Sequence, residues 1–356
     1  MRIGLYGLPS SGKTYILNKI GNFEVVEGSK GLFKINPRFK SLTGSEQQDI
    51  RKQFVRELKE KDNIIVDGHY SFGENTVFTE DDGELYDTFL YLYVDPLILK
   101  QRMNESEKNC RYATLDIKEW QNREISQLRD YCHRNDKDFY VIDNPPKDYF
   151  ADISVVLDFI KDISQGFSCL AYARRCVEDI LKIADNSTII TLLDGDKTII
   201  TEDSCAKMGY KTHIFDNNFY TGYQSWRHNI EFTEYMKANN YTESFYKDLK
   251  ICFNSKVITG LGRINCILTA GYNEIWKKVA DDLEMQLFCD SQMAAETKFF
   301  ITKYLQEHGN KIIAYGDGMN DYYMLRQADE AFLVAKKDGT LSRSLVGKKI
   351  EGLNVV

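Results

Sequence analysis

Short apolar runs alternate with amphipathic stretches along the whole chain. In the first half, Arg2–Tyr6, Asn63–Val66, Phe89–Val94 and Phe139–Ile142 are rich in branched and aromatic side chains, and Phe23–Val26 is a weaker run of the same kind. Their lengths suit strands covered on both faces. Lys13–Ile20, Ser45–Glu60 and Asp116–His133 have helical spacing between them. A second alternating series starts near Ser164, with a helix over Cys169–Ile183 and a strand over Thr188–Leu193. A strand Cys266–Leu268, helices Glu274–Leu283 and Ala294–His308, a strand Lys311–Tyr315 and a helix Tyr322–Ala328 continue it. Residues 199–262, aromatic and helical in period, interrupt this second series. Alternation of this sort predicts an α/β chain: two three-layer α/β/α domains with mainly parallel sheets. The boundary is expected inside Asp162–Gly166, giving domains 1–163 and 164–356 with a helical cap at about 199–262 in the second. No Pro/Gly/Ser-rich linker marks it, and there is neither a fixed-period repeat nor a low-complexity tract.

Composition narrows the class. A chain of 356 residues, 43% apolar and 13% aromatic, can bury more than one core and is not a disordered one. A net charge of −7 suits an enzyme of small molecules better than a chain built to hold nucleic acid, although a local basic groove can hide inside such a total. The eight cysteines are scattered without a C-x-x-C pair, so most are expected to be reduced core residues, not a zinc or disulfide framework. The first residues show no charged leader followed by an apolar segment, and no apolar run reaches membrane-spanning length. A cytoplasmic protein without a membrane partner is the expectation.

Gly7-Leu8-Pro9-Ser10-Ser11-Gly12-Lys13-Thr14 fits G-x-x-x-x-G-K-[ST] between a predicted strand and a predicted helix. The glycines let successive backbone N–H groups, including those of Ser10 and Ser11, curl around phosphates. Lys13 would reach the β/γ-phosphates of ATP, and the Thr14 hydroxyl would ligate Mg²⁺.

With its phosphate loop, the first half resembles the small P-loop kinases of metabolites and nucleotides, such as the adenylate kinase-like group. Asp67-Gly68-His69 closes a buried strand, where the acid either orients Mg²⁺, accepts a proton from a substrate hydroxyl, or merely caps the turn. Asp95-Pro96 leads into a helix carrying Arg102, and Arg111 follows past a polar stretch. Such arginines either flank a lid and neutralise the transferred phosphoryl group or are surface charges. Arg38 sits where such kinases grip their acceptor, and His69 reads as structural.

In the second half, Thr188–Leu193 runs into Asp194-Gly195-Asp196-Lys197-Thr198. Two acids one residue apart at the carboxyl end of a buried strand lie where α/β sites form. Ile267-Leu268-Thr269-Ala270-Gly271 then supplies a hydroxyl and small residues, Lys298 begins a helix, and a third strand ends in Gly316-Asp317-Gly318-Met319-Asn320-Asp321. A carboxylate attacking a dianionic phosphate needs cations on both sides, which a divalent ion and a lysine supply. In these four motifs the half resembles the haloacid dehalogenase-type phosphatases, in pattern the phosphoserine phosphatase-like branch. That resemblance implies Asp194 as nucleophile, Asp196 as general acid and base, and Thr269 and Lys298 as phosphoryl ligands, with Lys303 the fallback lysine. It also implies a Mg²⁺ site drawn from Asp194, Asp196, Asp317 and Asp321, the last also supporting Lys298. The cap carries Tyr210, His213, Phe215, Phe219, Tyr220, Tyr223, Trp226 and Arg227, which read as cap core more readily than as a substrate box. Glu202 and Asp203 fall near the position where phosphoserine phosphatases hold the substrate amine.

The combination predicts a bifunctional enzyme: an ATP-dependent small-molecule kinase fused to a Mg²⁺-dependent phosphomonoesterase, acting on a small phosphorylated metabolite, sugar or nucleotide. Two other readings stay open. Phage-type polynucleotide kinase–phosphatases have the same domain order, which would make nucleic-acid ends the substrate. Alternatively, the first half is a nucleotide sensor regulating the phosphatase. The sequence does not specify an oligomeric state.

Overall fold

A computed structural model describes residues 1–143, 153–184, 188–241 and 250–356. The chain divides into two compact units, Met1–Phe167 and Ser168–Val356, each of the α/β/α type.

The first unit is built on five parallel strands in the order β2-β3-β1-β6-β7. They are β1 (Arg2–Tyr6), β2 (Glu24–Glu27), β3 (Ile64–Asp67), β6 (Thr88–Leu92) and β7 (Asp138–Ile142). A short hairpin, β4 (Ser71–Phe72) with β5 (Asn75–Thr76), follows β3 and is the only antiparallel pair among the described strands. β6 and β7 are buried at every position, as strands covered on both faces must be. The helix Ile117–Arg134 is tied to the sheet by Gln121, whose side chain accepts from the Val94 N–H and donates to the Val94 carbonyl. Beside it Glu124, almost fully buried, accepts from Ser71 N and Oγ, Trp120 Nε1 and Tyr91 OH. That network fixes the start of the hairpin close behind Asp67 and His69.

The second unit has six parallel strands in the order β10-β9-β8-β11-β12-β13. β8 (Ile189–Asp194), β9 (Ile264–Thr269) and β11 (Lys311–Gly316) form its centre, with β10 (Gln286–Cys289), β12 (Glu330–Leu333) and β13 (Asn354–Val355) outside them. Alternate side chains divide between the two faces. Leu192, Cys266, Leu268, Ile312 and Ala314 pack with the helices Cys169–Leu181 and Ala295–Glu307, while Leu193, Ile267 and Tyr315 pack with Trp276 and Val279 of the helix Asn273–Leu283. The parallel register sets Asp194 beside Leu268 and Tyr315 beside Leu193, so the acidic ends of β8 and β11 share one edge.

Several elements differ from expectation. The helix after the phosphate loop spans only Lys13–Leu17, not Lys13–Ile20. Helices Gly28–Ile35 and Ser154–Ser164, the hairpin and strands β10, β12 and β13 carried no legible pattern. The cap contains helices Ser204–Lys207, Gly222–Ala238 and Ser255–Ile258, and its residues 242–249 lie outside the described ones. No described helix is long and apolar enough to cross a membrane.

Candidate functional site

In the second unit a single buried ammonium draws the acids together. Lys298 is fully buried, and its Nζ donates to Asp194 Oδ1 at 2.5 Å and to Asp321 Oδ1 at 2.8 Å. Burial alone would lower the Lys298 pKa, but the two carboxylates outweigh it and hold the group charged. Lys303 points elsewhere, with its ammonium 4.0 Å from Glu307. Asp321 Oδ2 accepts from the backbone N–H groups of Asp317 and Gly318, which shapes the turn after β11.

Asp194, Asp317 and Asp321 each offer an oxygen within 4.8 Å of the others. Three carboxylates against one ammonium leave an excess of negative charge in a buried place. Burial, with Asp321 next in importance, lifts Asp194 to about 6; burial, Asp321 and Asp194 push Asp317 well above the usual carboxylate range. Asn320 adds a buried amide oxygen without a partner at the same cavity. This donor set fits a hard divalent cation, which binds oxygen and neutralises two charges.

Asp196 stands apart from that group. Ser204, at the start of the cap, donates to it from both its N–H (2.7 Å) and its hydroxyl (3.0 Å). Asp196 lines the same cavity as Asp194, Asp317 and Asp321 but is not one of the three carboxylates that converge; Ser204 holds both of its oxygens. Burial and the nearby Asp203 lift its pKa to about 7, where it exchanges a proton near neutrality. Thr269 ends β9, and its Oγ1 accepts from Gly271 N at 3.1 Å, so the hydroxyl is held at the cavity wall. Gly195 and Gly271 are required by packing: a Cβ on either would lie within 2.5 Å of the Trp276 indole.

The cavity over these residues encloses about 160 Å³. Of the cap aromatics, Phe215 and Tyr220 line it as a stacked pair, joined by His228 and Ser225. Tyr210, Phe219, Tyr223 and Trp226 are buried cap residues, and His213 is turned outward against Asp216. Arg227 pairs with Glu231, Glu202 with Lys207, and Asp203 with Lys197 at 2.7 Å. Asp203 thus reaches the cavity already neutralised, which argues against a free carboxylate waiting for a substrate amine. Ser204, Asn320 and His228 were not singled out from sequence. Only the Asp203-Ser204 helix-start pattern offered a signal for the first.

In the first unit the phosphate loop crosses from β1 to the short helix with Gly7 at φ +148°, Ser10 at φ +66° and Gly12 at φ +99°. A Cβ at Gly7 would stand 2.8 Å from the Leu92 carbonyl, so only glycine fits. Lys13 lies back over the loop, donating to Gly7 O at 2.6 Å and Leu8 O at 3.3 Å, with Asp67 at 3.8 Å. Burial lowers its pKa against the opposing pull of Asp67, and burial raises that of Asp67. Ser11 Oγ, Asp67 Oδ1 and His69 Nδ1 are buried without hydrogen-bond partners. Two polar atoms without partners, a carboxylate oxygen met only by the Lys13 ammonium at 3.8 Å, and a cradle closed to side chains fit a phosphate chain with its Mg²⁺. Thr14 is exposed at the head of the helix.

The arginine expectation changes in detail. Arg111 is exposed, its guanidinium 4.6 Å over the Tyr112 ring and bonded to the Tyr112 hydroxyl, and Arg102 sits half-buried near the end of the helix Pro96–Asn104. From this stretch it is Asn109 that reaches the loop, donating to Ser10 Oγ at 2.9 Å, while the Lys108 charge acts on Asp67 and His69. Asp95 caps its helix through Leu97 N and Ile98 N. Arg38 is exposed, its N–H held by Asn36. Glu27, at the end of β2 and in register with Asp67, was missed because its strand is half-exposed.

No protein-family model matches the sequence, and neither does any curated protein. Solved structures give weak likenesses to two kinds of enzyme. Shikimate kinase from Acinetobacter baumannii in complex with shikimate is 16% identical over 45% of this chain and 93% of its own, with a TM-score of 0.33. A substrate-bound phosphoserine phosphatase is 13% identical over 44% of this chain and 90% of its own, TM-score 0.31. A phospho-aspartyl intermediate analogue of phosphoserine phosphatase is 15% identical over 43% and 89%, TM-score 0.32. Likeness at this level does not extend to activity, which must rest on the residues themselves.

Proposed function

We propose that the chain is a bifunctional enzyme: a Mg²⁺-dependent phosphomonoesterase in the second unit and an ATP-dependent small-molecule kinase in the first. The observation that carries the phosphatase reading is the convergence of Asp194, Asp317 and Asp321 on the buried Lys298. An Asp194 oxygen attacks phosphorus, the bond to the ester oxygen breaks, and Asp196 gives the departing alcohol its proton. Water, losing a proton to Asp196, then attacks the aspartyl phosphate; the bond to Asp194 breaks and inorganic phosphate leaves. Lys298 and the Thr269 hydroxyl hold phosphoryl oxygens during both steps. Asp194, Asp317 and Asp321 would hold Mg²⁺, which would supply charge neutralisation for the approach of one anion to another.

In the first unit Lys13, Ser11 and the loop amides bind the phosphates of ATP, and Asp67 faces either the metal or the acceptor hydroxyl. The Ser11, Asp67 and His69 atoms that lack hydrogen bonds support this reading. All eight cysteines are free, which suits a reducing compartment such as the cytoplasm.

The test is phosphate release from p-nitrophenyl phosphate and a panel of sugar, polyol and nucleoside monophosphates, with Mg²⁺ or EDTA. Wild type should need Mg²⁺, and Asp194→Asn should lose at least a thousandfold in kcat. Retention of turnover by Asp194→Asn would remove the nucleophile and the reading with it. ADP formation dependent on an added acceptor tests the kinase. ATP turnover indifferent to every acceptor would favour a sensor.

A further inference from the structure

A second, larger cavity in the same unit, about 540 Å³, meets the first along Lys197 and Asp317, which line both. Its volume lies in the range of small-molecule sites. Four lysines line it: Lys197 from the turn after β8, Lys256 from the helix Ser255–Ile258 at the cap exit, and Lys336 and Lys337 from the turn after β12. Asp317 is the one acidic side chain in that lining, which also includes Val356 with its α-carboxylate. Lys197 is committed to Asp203. Lys336 feels Asp338, but no described carboxylate lies within ion-pairing distance of Lys256, Lys336 or Lys337. Thr201, also in the wall, has a buried hydroxyl oxygen without a partner. Elements distant in sequence thus bring positive charge and an unsatisfied hydroxyl to one concavity, in a chain whose net charge is −7.

Resting on the phosphatase reading above, we propose that this cavity is an anion subsite for a second phosphoryl group, and that the phosphatase substrate is a bisphosphorylated small molecule. One phosphate sits at Asp194 and the carboxylate cluster while the other lies among Lys256, Lys336 and Lys337. Asp317 and Lys197 line both spaces, so such a ligand would span that shared wall with one phosphate on either side. The cavity's volume favours a small molecule over a nucleic-acid strand, whose backbone needs a basic groove continuing past the site. A kinase that phosphorylates a monophosphate supplies such a substrate: a hydroxyl oxygen takes the γ-phosphoryl group of ATP, ADP leaves, and the hydroxyl proton passes to a base.

The experiment uses the full chain with Mg²⁺ and two probes on one skeleton, fructose 6-phosphate and fructose 1,6-bisphosphate, as competitors of p-nitrophenyl phosphate hydrolysis. Wild type should bind the bisphosphate at least tenfold more tightly. Lys336→Ala/Lys337→Ala should bring the bisphosphate down to the monophosphate's level without changing p-nitrophenyl phosphate turnover, and the Lys→Arg pair should restore it. Equal affinity for the two probes in wild type, or a bisphosphate affinity indifferent to the double alanine change, overturns the subsite. So does an equal loss for both probes, which makes the lysines structural. A 3′-phosphorylated oligonucleotide that outcompetes the bisphosphate through these same lysines overturns the small-molecule assignment. If wild type hydrolyses no phosphomonoester the phosphatase reading fails, yet calorimetric titration of both probes into wild type and the double variant still decides the cavity.

Discussion

Replacing Asp317 by asparagine should stabilise the metal-free protein while removing its response to Mg²⁺. Ligand oxygens of Asp194, Asp317 and Asp321 lie within 4.8 Å of one another. At that separation and an effective dielectric of about 20, a pair of carboxylates repels by roughly 3 kcal/mol. Asp317 faces two such neighbours, and Lys197 and Lys298 offset part of the repulsion. Neutralising it should therefore leave a net relief of about 1–2 kcal/mol, or roughly 2–8 °C in Tm for a domain of this size. Mg²⁺ at about 100 times its Kd should add ~2.7 kcal/mol to the wild type and little to the variant, which lacks the charge to hold it. The ranking of the two proteins should then reverse between EDTA and Mg²⁺. Scanning calorimetry of the full chain, comparing the transition that Mg²⁺ shifts in the wild type, measures this. An asparagine variant that melts below the wild type by the same margin in both buffers would refute the argument from crowded charge and leave Asp317 a structural acid.

Lys298→Met should cost about 3–5 kcal/mol in EDTA, because two buried carboxylates lose their partner. Calorimetry should show Mg²⁺ recovering part of that loss, and an unchanged Tm would mean the buried ion triad does not act as drawn. Lys13→Ala should abolish ATP-dependent phosphoryl transfer and leave p-nitrophenyl phosphate turnover untouched; loss of both in a folded protein contradicts two separate sites. Ser204→Ala removes the hydroxyl's hydrogen bond to the Asp196 carboxylate and keeps the one from the backbone N–H. Its kcat should fall about tenfold or more on an alkyl phosphate, whose leaving oxygen needs a proton, and less than twofold on p-nitrophenyl phosphate. Equal losses on the two substrates would show that Ser204 does not act through the acid.

The central strands were legible because burial on both faces leaves uninterrupted apolar runs, as in Ile189–Asp194 and Thr88–Leu92. The same rule explains what escaped. Gln286–Cys289 is an edge strand with no fully buried position and so is not a continuous apolar run, while the half-exposed Glu24–Glu27 shows only as the weaker run Phe23–Val26. Gly28–Ile35 starts on one glycine and contains another, which hides a helix from any propensity argument. Motif spacing located the acids at strand ends and put Lys298 ahead of Lys303, though only by resemblance. Five positions turn a helix by about 140°, so the two lysines must face differently, and only burial shows which one meets Asp194. Asp196 teaches the same lesson from the other side. Its place after β8 follows from the chain, but the direction of its carboxylate is set by Ser204, a residue that belongs to the cap.

Net charge was the least informative feature, and the second unit shows why. A total of −7 averages over two adjoining regions of opposite local sign. Around Lys298, three acids exceed one ammonium; across Asp317, Lys256, Lys336 and Lys337 stand beside Lys197, which Asp203 already pairs. A phosphoryl-transfer centre that depends on a cation needs both. Excess carboxylate retains the cation, and that same excess repels the anionic substrate the cation is there to serve. Positive charge just outside the cluster offsets this repulsion along the approach without competing for the metal oxygens. Overall charge is therefore a statement about solubility, whereas the arrangement on either side of Asp317 bears on which anions can reach Asp194.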